Sequence, residues 1–499
     1  MELDWLKKWS LYSPSHIALK DAETGREVSY LEFYRGSVRL AAWLRDTHQV
    51  GAGDRVAVLA GNELEYFFLF FALQRLNAIL VPINYRLTSR EVEFILSDCQ
   101  PKLILCQKQF RSVVGSIEMK TEDFEELCRK LDDAPSAPAD AQEIPIQATP
   151  DTVCMILYTS GTTGHPKGAL IHHGMLYWNS INTGLRLNLT QNERVLAFLP
   201  LFHTGGWNVL NTPCFHRGAT VILMKKFDAD QILQLADSES LTILFGVPTM
   251  MDMLARSPYF FGAQLKSVRY AIVGGEPMSL ELIRTWQEKG IPIRQGYGLT
   301  EFGPNVFSLN EDDSVRKIGS IGFPNFYIEA QIIDDTGKVV PPGDDTVGEL
   351  ALKGPTATLG YYGRTDATQE TIRDGWLYTG DLVRRDAEGY FYVVGRKKDM
   401  FISGAENVYP AEIEQVLTSH PQVHEAAVIG VPDARWGEVG KAFVTLEKGA
   451  AVSETELLSY CQQNLARYKV PKYFEFLATL PKGDSGKVLK KALRAEPTL

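Results

Sequence analysis

The sequence predicts an α/β protein built from more than one structural unit. Two observations lead there. At roughly 150 residues per domain, 499 residues suggest two to four units with ample core. Short apolar runs also alternate with amphipathic ones through the first 130 residues, a pattern of parallel sheets covered by helices.

The elements follow in order. Asp54 to Leu59 reads as a buried strand, Leu64 to Leu76 as a helix, and Ala78 to Ile83 as a strand closed by Pro82 and Asn84. A helix over Glu91 to Ser97 and a strand over Lys102 to Cys106 come next. Residues 132–150 hold four prolines, five alanines and no aromatic residue, the composition of an exposed linker or surface excursion. Strand-like alternation resumes at Val153, so no domain boundary is placed there.

Composition narrows the function classes. The chain is 45% hydrophobic, 22% charged and 10% aromatic, which excludes a disordered tail or a disulfide mini-scaffold. Its net charge of −10 gives no basic footprint for nucleic acid. Six scattered cysteines without a C-x-x-C pair speak against a disulfide framework or a zinc site. The N-terminal MELDWLKKWS does not read as a signal peptide, and the longest apolar run, Tyr66 to Leu73, is far short of the about twenty residues of a membrane span. A soluble cytoplasmic protein is expected. Between Ala466 and Arg494, eight basic residues face two acidic ones, a local +6 that suits a polyanionic ligand as well as a solvated surface.

The strongest chemical signal is Leu157-Tyr158-Thr159-Ser160-Gly161-Thr162-Thr163-Gly164-His165-Pro166-Lys167-Gly168. It follows the apolar strand Val153 to Leu157, and a helix is expected to begin near His172. Glycines permit a tight backbone path whose N–H groups form an anion-binding concavity, and hydroxyls and a lysine add donors for phosphate oxygens. No G-x-x-x-x-G-K-[ST] occurs, so this is not a P-loop.

That string resembles the phosphate loop of the adenylate-forming superfamily, which includes acyl-CoA synthetases, luciferases and peptide-synthetase adenylation domains. Further strings resemble the family's motifs in the family's order. They are Gln295-Gly296-Tyr297-Gly298-Leu299-Thr300-Glu301, Tyr378-Thr379-Gly380-Asp381, Gly395-Arg396-Lys397-Lys398-Asp399, Ser403-Gly404-Ala405-Glu406-Asn407, Pro410 to Glu414, and Pro481 to Lys487. Together they span nearly the whole chain.

The resemblance implies a large N-terminal domain, residues 1–397, of helix-covered sheets plus a β-barrel-like subdomain. A small, mobile α+β C-terminal domain, 398–499, would follow. It implies that Thr159, Ser160, Gly161, Thr162, Thr163, Gly164 and Lys167 wrap the ATP phosphates. Gly275, Glu276 and Pro277 with Gly296, Tyr297, Gly298 and Thr300 would flank the adenine, Tyr297 stacking on it. Asp381 would hold the ribose hydroxyls beside Arg396. Thr159 and Glu301 would hold Mg²⁺, the expected cofactor, with ATP and CoA as co-substrates. Lys487 is the expected catalytic ammonium for attack of a carboxylate on the α-phosphate.

Lys398 occupies the hinge position from which the C-terminal domain would rotate for thioester formation. Gly404 would then line a pantetheine tunnel and Trp436 pack on pantetheine, the alternative being a domain-core Trp. Arg467, Lys469 and Lys472 would meet the CoA phosphates. His203, in Pro200 to Trp207, would sit where the acyl group meets pantetheine. The acyl-pocket candidates are Trp207, Asn208, Gly274, Gly298, Pro304, Asn305 and Val306, none basic, with a core position as the alternative for Trp207.

The expected reaction is ATP-dependent ligation of a carboxylic acid to CoA through an acyl-adenylate. The leading substrate is a medium- or long-chain fatty acid; a benzoate- or coumarate-like aryl acid is the in-class alternative. A stand-alone enzyme loading a carrier protein and a luciferase-like oxygenase are the rivals from other classes. No carrier domain is expected after Leu499, and a homodimer is compatible with everything above.

Overall fold

A computed structural model describes residues 1–114, 118–132, 144–159, 166–403, 406–483 and 487–495. The chain divides into two compact units, Met1–Glu329 with Leu352–Leu377, and Ala330–Ala351 with Tyr378–Leu499. Most of the expected linker at 132–150 lies outside the described residues.

In the first unit the expected elements form with shifts of at most two residues at their ends. They are the strands Arg55–Leu59, Ile79–Pro82 and Leu103–Cys106, and the helices Leu64–Arg75 and Ser89–Cys99. Thr121–Asp123, Leu103–Cys106, Arg55–Leu59, Ile79–Pro82 and Val153–Thr159 run parallel in that order. Lys167–His172 closes this sheet antiparallel to Val153–Thr159. That last strand was not expected. The sequence suggested a loop leading straight into a helix, but the chain first turns back as a hairpin and only then enters the helix His173–Arg186.

A second parallel set runs in the order Ile293–Tyr297, Tyr270–Val273, Ile243–Gly246, Arg194–Ala197, Thr220–Leu223 and Ile17–Asp21. Between the sheets lies Leu64–Arg75, buried at all twelve positions. A helix that is apolar almost all round has no solvent face to offer and belongs in a core. Its two charged residues are answered by partners: Arg26 reaches Glu65 at 2.7 Å, and Arg75 forks onto both oxygens of Asp4 at 2.8 and 2.9 Å.

Glu329–Ile333, Gly348–Lys353, Trp376–Arg385 and Phe391–Arg396, most of whose residues fall in the second unit, are neighbours in sheet order. The C-terminal part is α+β. The long antiparallel pair Val423–Asp433 and Gly437–Leu446 is flanked by Phe401–Ser403 and Tyr473–Phe476. Pro410–Thr418, with proline in its first turn, and Glu454–Asn464, with a Ser453/Glu456 capping box, pack their apolar faces on Val428, Ala442 and Val444.

Candidate active site

The strand pair that bounds the expected phosphate loop brings Thr159 opposite Lys167 in register. The segment between them, 160–165, lies outside the described residues, and with it the expected phosphate-binding residues Ser160, Gly161, Thr162, Thr163 and Gly164. Gly168 has a steric reason. A Cβ there would stand 2.5 Å from Ile156 Cγ2 and 3.2 Å from the Tyr158 ring, so only glycine lets the strand return. Tyr158 donates its hydroxyl to Asp98 at 2.7 Å, and the Arg364 guanidinium holds the same carboxylate. Burial pushes the Tyr158 phenol far above its ordinary range, so it stays a donor.

Glu301 sits in the short turn Thr300–Phe302. Its Oε1 accepts from the Tyr361 hydroxyl at 3.0 Å and from the Thr159 hydroxyl at 3.4 Å, and its carbonyl accepts from the Thr358 amide at 2.8 Å. The Lys167 ammonium stands 5.4 Å from the centroid of the Tyr361 ring. The strand end, the turn and the segment at 358–361 thus converge. Thr159 and Glu301 present hard oxygens side by side, a fit for Mg²⁺, which takes one or two protein ligands and completes its shell with water and phosphate. Among the described residues no cluster of three or more His, Cys, Asp or Glu could hold a metal.

The two segments expected to flank the adenine leave neighbouring parallel strands, Tyr270–Val273 and Ile293–Tyr297. Gln295, buried, ties them together. Its Nε2 donates to the carbonyls of Val273 at 3.2 Å and Glu276 at 2.9 Å, and its Oε1 accepts from the Met278 amide at 3.3 Å. Glu276 and Pro277 are exposed, and Gly275 takes φ +91°, which favours glycine. Tyr297 is half-buried, its ring edge-to-face with Phe307 at 5.8 Å. A Cβ on Gly298 would fall 1.9 Å from the Pro304 carbonyl oxygen, so no side chain fits.

The acyl candidates are redistributed. His203 opens the helix Thr204–Asn208, and its ring lies 4.6 Å from that of Phe202. Trp207 takes the core position. It is 0% exposed, its indole N–H donates to the Leu201 carbonyl, and Tyr66, Phe67 and Phe70 surround it at 5.0 to 5.7 Å. The apolar helix at 64–75 claims this ring for the core. Asn208 and Val306 are likewise buried. Asn305 Nδ2 donates to Thr183 Oγ1 at 2.6 Å and to the carbonyls of Asn208 and Val209, so its amide braces the loop. Gly274 keeps partial exposure at the end of its strand.

In the second unit Asp381, 4% exposed, faces Arg396 across an antiparallel pair, with Nε to Oδ1 at 2.7 Å. Glu349 stitches the same region. It accepts from the Gly380 amide at 3.1 Å and from the Lys397 ammonium at 2.9 Å. Lys398 is exposed in the following turn.

Trp436 is 44% exposed under the Arg435 guanidinium, in the turn between the two long strands; it is not a core residue. The local +6 is largely neutralised by ion pairs of Lys469 with Glu412 (2.7 Å), Lys472 with Asp433 (2.5 Å), Lys482 with Glu425, Lys490 with Glu414 (2.6 Å) and Arg494 with Asp399 (3.0 Å). The Lys472 ammonium, with two backbone amides, holds the Asp433 carboxyl down at about 2. Arg467 and Lys487 are exposed, and Gly404 lies outside the described residues. Sequence reasoning missed Tyr361, Gln295, Asp98 and Glu349. Gln295 was visible as the first residue of its motif; the others carry no local signal.

Residues 6–362 match the AMP-binding enzyme family and 412–487 the AMP-binding enzyme C-terminal domain. Feruloyl-CoA synthase of Amycolatopsis sp is 40% identical over 494 residues, 98% of both chains. Indoleacetate–CoA ligase of Aromatoleum aromaticum is 36% identical over 512 residues, covering 99% of this chain and 98% of that one. The o-succinylbenzoate CoA synthetase of Bacillus subtilis, solved with its acyl-adenylate intermediate OSB-AMP, superposes with a TM-score of 0.89 at 34% identity, covering 99% and 98%. With both family domains matched in order along the chain, it belongs to the AMP-binding enzymes, the adenylate-forming family that its sequence resembles.

Proposed function

We propose that this chain is an ATP-dependent aryl-acid:CoA ligase, working through an acyl-adenylate and then a thioester. What carries the choice of acid is full-length similarity to feruloyl-CoA synthase, with the indoleacetate and o-succinylbenzoate enzymes in support. The expected preference for a medium- or long-chain fatty acid gives way to the aryl alternative, because these relatives act on ring-bearing acids.

The roles follow from chemistry. A carboxylate is a poor electrophile until an oxygen leaves as part of AMP, and its attack on the α-phosphate brings two anions together. Thr159 and Glu301 would hold Mg²⁺, which supplies charge neutralisation at the phosphates. Lys167 and the loop beside it bind phosphate oxygens. Tyr297 packs on adenine, with the Gly275–Pro277 segment held by Gln295, and Asp381 receives the ribose hydroxyls. The Lys487 ammonium, a compact charge, stabilises the transferring phosphoryl group. Lys398 serves as pivot between domains 1–397 and 398–499. His203 adjoins the acyl group, and Gly404, Trp436 and Arg467 receive CoA. Lys469 joins them only if it leaves Glu412.

The test is CoA-dependent AMP release across a panel of ferulate, coumarate, benzoate, indoleacetate, 2-succinylbenzoate and straight-chain acids. One or more ring-bearing acids should give the highest kcat/KM. A straight-chain acid that outruns all of them would overturn the assignment.

A further inference from the structure

Tyr361 belongs to none of the strings that brought the family to view, yet it touches two of the residues assigned above to phosphate and metal. We propose that Tyr361 is a positioning residue whose hydroxyl fixes the Glu301 carboxylate for the metal–ATP complex. The proposal rests on the ligase reading of the site and deepens it.

The backbone around Tyr361 is held from several sides. The Leu170 amide donates to the Gly360 carbonyl at 3.0 Å, and the Tyr362 amide to the Gly168 carbonyl at 2.8 Å. The segment at 360–362 therefore lies along the return strand of the phosphate-loop hairpin, and Tyr361 itself bridges Ala169. Gly360 takes φ +121°, and a Cβ there would meet Thr368 Cγ2 at 2.4 Å, so the chain passes that point only as glycine. The Tyr361 amide donates to Thr368 Oγ1 at 3.0 Å. Three residues on, Arg364 is anchored on Asp98, which also receives Tyr158 beside Thr159. A phenol carried on such a frame cannot wander.

Its hydroxyl reaches Glu301 Oε1 at 3.0 Å, on the same oxygen as Thr159 Oγ1, while its ring underlies the Lys167 ammonium at 5.4 Å. A carboxylate with one oxygen held by two hydroxyls has its plane and rotamer set before the ligand arrives. Outer partners of this kind orient ligating carboxylates and commonly tune metal affinity. Without the phenol, Glu301 retains the weaker 3.4 Å contact to Thr159 but loses the shorter one.

The experiment measures binding of Mn²⁺ to the full chain in the presence of ATP, by the signal of free Mn²⁺ in electron paramagnetic resonance. Tyr361→Phe keeps the ring under Lys167 and removes only the hydroxyl. We expect the Mn²⁺ dissociation constant to rise about tenfold, which is ~1.4 kcal/mol, with ATP binding in the absence of metal unchanged. In a Glu301→Gln background, Tyr361→Phe should add nothing further. All four proteins are compared below the lowest of their melting temperatures, so lost stability does not imitate coupling. An unchanged Mn²⁺ constant in Tyr361→Phe, or additive effects in the double variant, would overturn the proposal. Failure of the ligase reading would instead appear as wild-type protein that releases AMP with no acid on the panel, and the Mn²⁺ cycle would still decide the role of Tyr361.

Discussion

Arg396 Nε lies 2.7 Å from Asp381 Oδ1, and the two residues occupy facing positions on adjacent antiparallel strands. The carboxylate is buried while the guanidinium is exposed, so the cation orients a group that water barely reaches. If Asp381 receives the ribose hydroxyls, Asp381→Asn should weaken ATP binding more than Arg396→Ala, because the first variant removes the charged acceptor itself. A hydrogen bond to a charged group contributes about 1.5–3 kcal/mol, roughly 10- to 150-fold in the ATP dissociation constant. Equilibrium binding of ATP to the two variants checks the order. Equal, small losses would remove Asp381 from the ribose site.

If Lys487 is the catalytic ammonium proposed above, it has work only while charge builds on the phosphoryl group. Lys487→Ala should therefore slow acyl-adenylate formation by about 10²–10³-fold, the range seen when one preorganised charge-stabilising group is deleted. Thioester formation from a supplied acyl-adenylate should persist. Lys398→Pro should do the opposite, because proline locks φ at the proposed pivot. Its pyrophosphate exchange should continue while acyl-CoA formation falls. Single-turnover assays of each half-reaction separate the two, and parallel losses in either variant would refute the division of labour.

Trp207 is wedged against Tyr66, Phe67 and Phe70. Trp207→Ala should cost about 3–5 kcal/mol of stability, since a large cavity opens in a core that cannot fully collapse. The rank order of acids turned over should stay as in the wild type. A changed order of acids in a variant that remains folded would return Trp207 to the acyl site.

Burial pushes the His173 imidazole down from 6.5 to about 4, with His172 adding to the effect, and burial with Arg217 does the same for His216. In the unfolded chain both rings take a proton as pH falls through 6.5, whereas the folded protein resists until about 4. Stability must fall across that window on acidification, by up to about 1.4 kcal/mol per pH unit for each ring. Urea unfolding between pH 7 and 4.5 should show this slope, and His173→Gln with His216→Gln together should flatten it. An unaltered slope would assign the acid lability to other groups.

Much of the molecule was legible in the chain because the responsible signals are local. Periodicity located, to within a residue at either end, the strands found at 55–59, 79–82 and 103–106 and the helix found at 64–75, since side-chain pattern and backbone geometry share one period. Glycine and hydroxyl strings marked the strand ends to which phosphate binding is assigned in the proposal, because tight turns and anion nests need those residue types at short spacing.

What only the tertiary structure decided are the partnerships between distant residues and the direction in which ambiguous side chains point. Trp207 follows two glycines in a motif that suggests a ligand pocket, yet the fully buried helix at 64–75, more than a hundred residues earlier, takes its ring into the core. The eight basic residues near the C-terminus look like a phosphate dock until strands and helices bring carboxylates from 399–433 to five of them. Tyr361 has no neighbour in sequence that marks it, and it meets Glu301 only because the Gly360 turn lays its segment along the phosphate-loop hairpin. Backbone preference acts over a few residues, whereas burial and charge pairing depend on which surfaces the fold sets against each other.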